Sequence, residues 1–315
     1  MAGAFCKHNR VRQKKKMQHS SSDPDLTATE CDIAERFGAL AVTAATPSTG
    51  PDTEPSEATG DEPDHPPTHV RFVAISDTHG KHAMLEVPFG DVLVHTGDFT
   101  ERGDLAEIEA FCEWMAEQPH ARKIVIAGNH DLTLDGAGYE QACRDWGFAR
   151  DGHEAERCAM ARAKLAAVPR LEYLCCSGTK VDGVQVWGAP WVPPCGGVFT
   201  KKRGPELAQI WAQIPTDTDV LLTHGPPHGH GDLCIPRGFG MPRRRAGCRD
   251  LLDAVMQRVR PAFHVFGHIH EGYGTTTDGT TTFVNASSCT VRGQCVQPPM
   301  VFDVPIRVPT AVERT

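Results

Sequence analysis

The chain has 315 residues, of which 40% are hydrophobic and 23% are charged, an ordinary composition for a globular protein with one sizeable domain. Its formal net charge of −8 argues against a stable nucleic-acid complex, because nucleic-acid-binding surfaces usually carry a basic face. No apolar run approaches the ~20 residues that are needed to span a bilayer.

Residues 1–67 are predicted to be a disordered extension, first basic and then acidic. Six Lys or Arg residues and no acidic residue occur in the first 22 positions, and no apolar signal-peptide region follows them. From Asp23 to His65, eleven acidic residues stand against one Arg, with too little apolar surface to offset the entropy of ordering. Its basic start is predicted to be a solvated tail; organelle targeting and a role of the whole extension in binding a protein partner are the alternatives.

Short apolar runs that end in polar clusters begin at His69. The first three are VRFVAIS before DTHG, DVLVHTGD and KIVIAGNHD, and each predicts a buried strand. Between the second and third, residues 104–118 predict an amphipathic helix, because apolar residues recur there at helical spacing. These apolar residues are Leu105, Ile108, Phe111, Cys112 and Met115. Alternating strands and helices indicate a layered α/β arrangement.

The second half of the chain adds more strands than helices. VDGVQVWGAPW contains a turn at Asp182 and Gly183, and four further runs predict strands: TDVLLTHGPP, AFHVFGHIHEGYG, GTTTFVNASS and PMVFDVP. Residues 248–260 predict a helix that Pro261 ends. We therefore expect two sheets packed face to face with helices outside, in one catalytic domain over residues 68–305, followed by a tail at 306–315.

Possible metal ligands follow five of the predicted strands. Side chains two positions apart in an extended segment point the same way, so Asp77 can converge with His79, and His268 with His270. Gly97, Gly128, Gly225 and Gly267 would let the backbone turn sharply beside them. The full candidate set is Asp77, His79, Asp98, Asn129, His224, His268 and His270.

This ligand set predicts two divalent metal ions. Two carboxylates, four imidazoles and one amide oxygen are too many for one ion, and nitrogen with oxygen ligands favours Mn, Fe, Zn or Co over Mg or Ca. Two such ions about 3.5–4 Å apart would activate a bridging water and clamp the oxygens of a phosphoryl group. We expect Asp98 to bridge the two ions.

The ordered motifs D-x-H, G-D, G-N-H-D, T-H-G and G-H-x-H resemble the calcineurin-like metallophosphoesterase superfamily. Within it, blocks from RFVAISDTHG to DGTTTFVNAS are similar to the brain-type metallophosphoesterase-domain-containing proteins, over residues 70–304. The resemblance implies a four-layer α-β-β-α sandwich of two mixed sheets flanked by helices.

The resemblance also implies a role for each matching residue. One ion would be held by Asp77, His79 and His270, the other by Asn129, His224 and His268, and Asp98 would be shared. His130 would assist the leaving group, and Asp131 would orient the His130 imidazole. Two departures stand out: relatives often have Glu in place of Asp131, and residues 192–204 differ from the aromatic-rich stretch that follows the residue matching Trp191 in relatives.

The activity implied by the resemblance is hydrolysis of small phosphodiesters such as cyclic nucleotides, by a hydroxide that bridges the metals. A phosphomonoesterase or protein phosphatase is the alternative within enzymes. A non-catalytic scaffold on the same fold is the alternative outside them, and loss of ligands would be its mark; this chain has every ligand.

Other histidines and the arginines receive structural interpretations. His95 and His264 are expected to be hydrogen-bonded core residues, and His228 and His230 to be solvent-exposed or to line the mouth of the site. A basic cluster of Arg237, Arg243, Arg244, Arg245 and Arg249 could reach a phosphate or be solvated.

The twelve cysteines show no C-x-x-C pair, and the adjacent Cys175 and Cys176 are poorly placed to bridge each other. We therefore expect free thiols in a reducing compartment, no thiolate zinc site, and a cytoplasmic protein.

Overall fold

The computed structural model describes residues 41–44, 68–148, 151–235 and 242–306. Fourteen strands occur in these ranges: β1 Val42–Ala44, β2 His69–Ile75, β3 Val92–Thr96, β4 Arg122–Ile126, β5 Leu171–Tyr173, β6 Ser177–Val181, β7 Val184–Ala189, β8 Val220–Thr223, β9 Leu233–Cys234, β10 Arg244–Arg245, β11 Phe263–Phe266, β12 Gly274–Thr277, β13 Thr282–Asn285 and β14 Met300–Pro305.

Within the described ranges, five helices accompany the strands: α1 Leu105–Glu117, α2 Tyr139–Trp146, α3 Glu154–Ala166, α4 Pro205–Trp211 and α5 Arg249–Ala254. Helix α5 continues as a π-helical turn over Val255–Val259 and ends at Arg260, directly before Pro261. Short 3-10 turns occur at His82–Met84, Leu132–Leu134 and His270–Gly272. Across the described ranges, no helix is long and apolar enough to cross a membrane.

Both large sheets have six strands and a mixed arrangement. The first has the order β1-β14-β2-β3-β4-β5, in which β2 to β5 are parallel and β14 is antiparallel to both of its neighbours. The second has the order β12-β13-β11-β8-β7-β6, with four parallel central strands and antiparallel edges. Strands β9 and β10 form a separate antiparallel ribbon.

Three buried clusters hold the layers together. Between the sheets, alternate residues of the facing strands interdigitate, among them Phe72, Val94, Ile124, Val186, Leu222 and Val265. The outer face of the first sheet packs on α1, α2 and α3 through residues such as Val73, Leu93, Ile108, Phe111 and Leu165. The outer face of the second packs on α4 and α5 through Trp187, Leu221, Phe283, Trp211 and Leu251. The predicted four-layer α-β-β-α sandwich is confirmed.

The elements confirm most of the predicted runs. The helix predicted over residues 104–118 is α1, where the Asp104 carboxylate accepts from the backbone of Ala106 and Glu107, and the Glu107 side chain accepts from the Asp104 N–H. Asp182 and Gly183 form the tight turn between β6 and β7, both with positive φ. Helices α2, α3 and α4 were not predicted.

Strand β1 lies within the extension that we predicted to be disordered. Its residues Val42, Thr43 and Ala44 pair with β14, so the prediction does not hold for these three residues. Residues 1–40 and 45–67, and the tail after Ile306, lie outside the described residues.

Candidate metal centre

The seven predicted ligands follow the carboxyl ends of five parallel strands. Asp77 and His79 follow β2, Asp98 follows β3, and Asn129 follows β4, all in the first sheet. The second sheet contributes His224 after β8, and His268 and His270 after β11. Parallel strands end on the same edge of a sheet, so each sheet presents its ligands together. The two edges are joined at this point by a hydrogen bond of 2.7 Å from Ser288 N to Ser76 O.

Four of the ligand residues have left-handed backbone conformations. The φ angles are 52° at Asp77, 44° at His79, 54° at Asp98 and 67° at His268. A non-glycine residue in this region costs on the order of 1–3 kcal/mol and persists only where the surrounding structure holds it. The strain is therefore concentrated at the ligands themselves.

Two of the predicted glycines leave room for ligand carboxylates. A Cβ added at Gly128 would overlap Asp98 Oδ1, and one added at Gly267 would overlap Asp77 Oδ2. Glycine at these positions lets neighbouring strand ends approach the carboxylates closely.

One group of donor atoms is formed by Asp77, His79 and His270, whose ligand atoms all lie within 4.8 Å of one another. The two Nε2 atoms of His79 and His270 are 3.4 Å apart, and His270 Nε2 is 3.4 Å from Asp77 Oδ1. Ser287 Oγ donates to the other oxygen of Asp77 at 2.8 Å, which fixes the carboxylate.

A second group is formed by Asp98, His224 and His268, again within 4.8 Å. His224 Nε2 is 3.3 Å from Asp98 Oδ2 and 3.1 Å from Asn129 Oδ1. The same Asp98 oxygen is 4.0 Å from His79 Nε2 in the first group. Asp98 thus lies between the two groups, where a bridging ligand would be.

Backbone carbonyls turn the imidazoles toward the centre. His224 Nδ1–H donates to Thr96 O at 2.8 Å, and His270 Nδ1–H donates to Thr290 O at 3.2 Å. In both rings Nε2 therefore faces the carboxylates, where it can present its lone pair to a metal ion in the arrangement that metal-binding histidines adopt. Asn129 Nδ2 donates to Gly196 O at 3.0 Å, so its amide oxygen also faces inward. Lone pairs that converge in this way fit divalent cations.

The electrostatics of the site also favour cations. Burial lowers the pKa of His224, but the charge of Asp98 outweighs it and raises that pKa to about 9. Burial also lowers the pKa of His270, but the hydrogen bond to Asp77 outweighs burial and raises that pKa to about 9. Burial opposes ionisation of Asp77, yet its hydrogen bond with His270 holds the pKa of that carboxyl below its ordinary value. The two buried carboxylates thus attract positive charge.

His130 lies beside the first group, with its ring 4.8 Å from that of His79. Its backbone N–H donates to Asp98 Oδ1 at 2.8 Å, and its Nδ1–H donates to Glu101 O at 2.8 Å. The prediction that Asp131 orients this ring needs correction, because the ring is held by Glu101.

Asp131 instead joins the loops that carry the ligands. Its Oδ2 accepts from the N–H groups of Gly128 at 2.7 Å and Asp98 at 2.9 Å. Its Oδ1 accepts from the N–H of Thr100 at 2.9 Å and the hydroxyl at 2.7 Å. A buried carboxylate that accepts from four donors fixes the backbone around it. The G-N-H-D motif places Asp131 next to His130 in the chain but does not show these donors, so it suggested the His130 ring as the partner.

A cavity of about 540 Å³ opens over the two groups. Besides ligand residues and His130, it is lined by the basic Lys81, the acidic Glu101 and Glu271, the apolar Ile235 and Val291, and by Thr290 and Gly293. Among the described residues that line this cavity, Lys81 is the single Lys or Arg.

The other predicted residues lie away from the cavity. His95 and His264 are buried and hydrogen-bonded, as predicted. His228 and His230 are half-buried rather than exposed; His230 stacks on Phe283 at 3.7 Å between ring centroids.

Four arginines of the predicted basic cluster are exposed, and none of them lines the cavity: Arg243, Arg244, Arg245 and Arg249. Arg245 pairs with Asp232 at 2.6 Å, and Arg237 lies outside the described residues.

Several supporting groups have no signature in the sequence. The carbonyls of Thr96, Glu101, Gly196 and Thr290 orient site side chains, yet a carbonyl is present at every position of a chain. For one of these groups the sequence did carry a signal: the Gly196-Gly197 pair indicates a close approach of the backbone, since a Cβ at Gly197 would collide with the Asn129 carbonyl.

The chain is similar in sequence to known phosphoesterases. The sequence pattern of the calcineurin-like phosphoesterase family matches residues 70–272. Metallophosphoesterase domain-containing protein 1 of Homo sapiens is 43% identical over 241 residues, which are 76% of this chain and 72% of that protein. A UPF0046 protein of Caenorhabditis elegans is 41% identical over 75% of this chain and 82% of its own length. The crystal structure of TT1561 of Thermus thermophilus has a TM-score of 0.45 and 14% identity, covering 76% of this chain and all of that one.

Proposed function

This chain belongs to the calcineurin-like phosphoesterase family, and from that premise we propose that it is a metal-dependent phosphodiesterase that hydrolyses small phosphodiesters such as cyclic nucleotides. The observation that carries the proposal is the arrangement of the candidate ligands in two adjacent groups, with Asp98 in the second group and its Oδ2 4.0 Å from His79 Nε2 of the first. Mn, Fe, Zn or Co fit these nitrogen and oxygen donors. A pair of such ions supplies an activated water and charge stabilisation at phosphorus.

The chain's own residues would position and protonate the substrate. His130 Nδ1–H is committed to the Glu101 carbonyl, so Nε2 is the atom available to the cavity. We expect it to give a proton to the leaving oxygen or to stabilise the charge that develops there. Asp131, which fixes the loops of Asp98 and Thr100, is a positioning residue in this scheme.

The cavity supports a small substrate. A volume of about 540 Å³ suits a nucleotide-sized molecule, and apolar Ile235 and Val291 offer a surface for a base or another apolar leaving group. These features favour a small phosphodiester over a peptide-borne phosphate.

A phosphomonoesterase is the second candidate, and Lys81 favours it. Among the described residues, Lys81 has no ion-pair or hydrogen-bond partner for its ammonium group, and it lines the cavity beside the first ligand group. A monoester dianion would gain more from this charge than a diester monoanion.

The test is a substrate panel on full-length protein loaded with Mn or Co. The panel comprises bis(p-nitrophenyl) phosphate, p-nitrophenyl phosphate, and 2′,3′- and 3′,5′-cyclic nucleotides, with metal content measured in parallel. We expect diester turnover that exceeds monoester turnover and is lost in Asp98→Asn. Preference for the monoester would establish a phosphomonoesterase. Turnover that is no higher in wild type than in Asp98→Asn would favour a non-catalytic scaffold.

Domain limits and compartment are further proposals. We place the catalytic domain at residues 68–305, with β1 added to its edge, and expect the protein in the cytoplasm. Removing residues 1–40 should leave the activity of the domain intact, and imaging the full and shortened chains would show whether the extension directs the protein elsewhere.

A further inference from the structure

Two buried cysteines flank the loop that borders one wall of the cavity. Cys289 is fully buried and Cys295 is 2% exposed, and both are free thiols. Thr290, Val291 and Gly293, between them in the chain, line the cavity. Nothing in the proposed catalytic scheme uses either thiol.

The backbone pairing brings the two cysteines opposite each other. They form an isolated antiparallel bridge, with Thr290 N donating to Gln294 O at 2.8 Å on one side and Val296 N donating to Ser288 O at 3.2 Å on the other. These bonds flank the pair without joining it, so it is a non-hydrogen-bonded pair. In such pairs the Cα atoms are about 4.5 Å apart and the side chains lie closest, within the Cα separation that a disulfide requires.

The pair also contacts the loops of both sheets at the metal centre. Thr290, the neighbour of Cys289, accepts from His270 Nδ1 at 3.2 Å through its carbonyl. The Cys289 thiol lies 3.7 Å from the carbonyl oxygen of Thr78, which stands between Asp77 and His79. A disulfide between the two cysteines would therefore fix the segment that orients His270 and contacts the loop of Asp77 and His79.

We propose that Cys289 and Cys295 are an oxidisable dithiol site, which a hydroperoxide converts to a disulfide that closes the loop of residues 290–294 beside the cavity. The Cys295 thiolate attacks the peroxide, the O–O bond breaks, and a sulfenic acid forms as the peroxide is reduced. Cys289 then attacks that sulfur, the S–O bond breaks, and water leaves. Two thiols and one hydrogen peroxide give one disulfide and two waters.

The environment of the thiols supports this order of attack. The hydrogen bond from Cys289 lowers the pKa of Cys295, and burial acts against it. The same hydrogen bond, followed by burial, raises the pKa of Cys289. Since the thiolate is the nucleophile, Cys295 is the attacking residue and Cys289 the resolving one.

The test begins with peptide mapping of the full chain. Purified protein is treated with hydrogen peroxide in stoichiometric steps, alkylated and digested with trypsin. Arg292 lies between the cysteines, so cleavage there separates residues 259–292, which contain Cys289, from residues 293–307, which contain Cys295. We expect these two peptides to appear as one disulfide-linked pair that dithiothreitol separates.

A second readout is thermal stability, which does not depend on metal or on activity. A disulfide that closes so short a loop should raise the Tm by about 5 °C, because it restricts the unfolded chain. Cys295→Ser should abolish both the linked pair and the peroxide-dependent Tm shift, and its basal activity should match wild type. Cys175→Ser, which removes an exposed thiol elsewhere, should retain both.

Two results would overturn the inference. One is wild-type protein whose exposed Cys175 and Cys195 are oxidised while the peptides of Cys289 and Cys295 stay unlinked. The other is a peroxide-dependent rise in Tm of the same size in Cys295→Ser. Neither depends on the protein being a phosphodiesterase, so the proposed function can fail while this inference stands.

Discussion

His130 is fixed at three points beside the ligand groups. Its backbone N–H donates to Asp98, its Nδ1–H donates to Glu101 O, and its ring makes a T-shaped contact with Trp146 at 5.1 Å between centroids. A side chain held this firmly, with one nitrogen left for the cavity, is suited to transfer a proton at a fixed place.

His130→Ala is therefore expected to lower kcat by about 10² to 10⁴-fold, the usual contribution of a general acid, while metal content stays unchanged. Steady-state kinetics together with metal analysis would check this. His153→Ala replaces an exposed histidine at the start of α3 and is the matched control. A loss below threefold for His130→Ala would exclude it as the proton donor.

His95 and His264 are buried imidazoles with the same kind of partner. Gly97 N donates to His95 Nδ1, so Nε2–H donates to Thr78 Oγ1 at 3.0 Å. Thr223 Oγ1 donates to Gly225 O and accepts from His264 Nε2–H at 2.8 Å. Each histidine thus holds a threonine adjacent to a ligand residue. Burial lowers the pKa of both to about 3.

This depressed pKa gives stability a defined pH dependence. Between about pH 6.5 and 3 the unfolded chain binds protons that the folded histidines do not, so the free energy of unfolding falls as the pH decreases through that window. The loss is about 2–3 kcal/mol per histidine by pH 4.5. Urea unfolding of metal-free protein, measured from pH 8 to pH 4.5, gives the free energy of unfolding as a function of pH. This free energy should change less steeply with pH in His264→Gln than in wild type, because the glutamine amide can still donate to Thr223 but does not titrate. Identical slopes would contradict this.

At the scale of elements, the start of α1 is hydrogen-bonded to the loop that carries Glu101 and Arg102. Glu107 Oε1 accepts from Glu101 N at 3.0 Å, and Oε2 accepts from Arg102 N at 3.0 Å and Asp104 N at 3.3 Å. The carbonyl of Glu101 in turn holds the His130 ring. The helix cap therefore positions a residue of the site that it does not touch.

Glu107→Ala should reduce kcat by about tenfold through displacement of His130, and the free energy of unfolding by about 1 kcal/mol through loss of the cap. Glu113→Ala, an exposed position on the same helix, is the control and should change neither. Kinetics and urea denaturation would separate the two effects. An unchanged kcat in Glu107→Ala would mean that the cap and His130 are independent.

How far the sequence predicts these elements depends on the size of their buried side chains. Helix α1 was predictable because large residues such as Phe111 and Met115 recur along one face. Helix α3 was not, because its buried face is formed by Cys158, Ala161 and Leu165, which are mostly small. The seven candidate ligands could be named because they follow the ends of strands. Asp131 was misread because its partners include backbone amides, that of Gly128 in its own loop and that of Asp98 in the neighbouring one.

At the scale of the whole molecule, the ligand set is divided between the two sheets. Four members belong to loops of the first sheet and three to loops of the second. Asp98 of the first sheet and His224 of the second lie in one ligand group. Cations bound there would connect both halves of the sandwich and would be released on unfolding.

Removal of metal should therefore lower the Tm of the entire domain. At a metal concentration 100 times Kd, binding to the native state adds about 2.7 kcal/mol, which corresponds to roughly 5–10 °C for a domain of this size. Calorimetry with and without EDTA would measure the shift, and added Mn should restore the Tm. Asp98→Asn should show a smaller shift; a Tm indifferent to EDTA in wild type would argue against native-state metal binding.

The order of the first sheet has a consequence for biosynthesis. Strand β2 pairs with β14, and Ala74 therefore cannot form its pair until Met300 has been translated, more than two hundred residues later. Until Met300–Pro305 leaves the ribosome, the nascent chain carries β2 with an unpaired apolar edge, which is a template for mispairing. Chains arrested at residue 299 should thus recruit chaperones, and chains arrested with residue 306 fully emerged should be released from them.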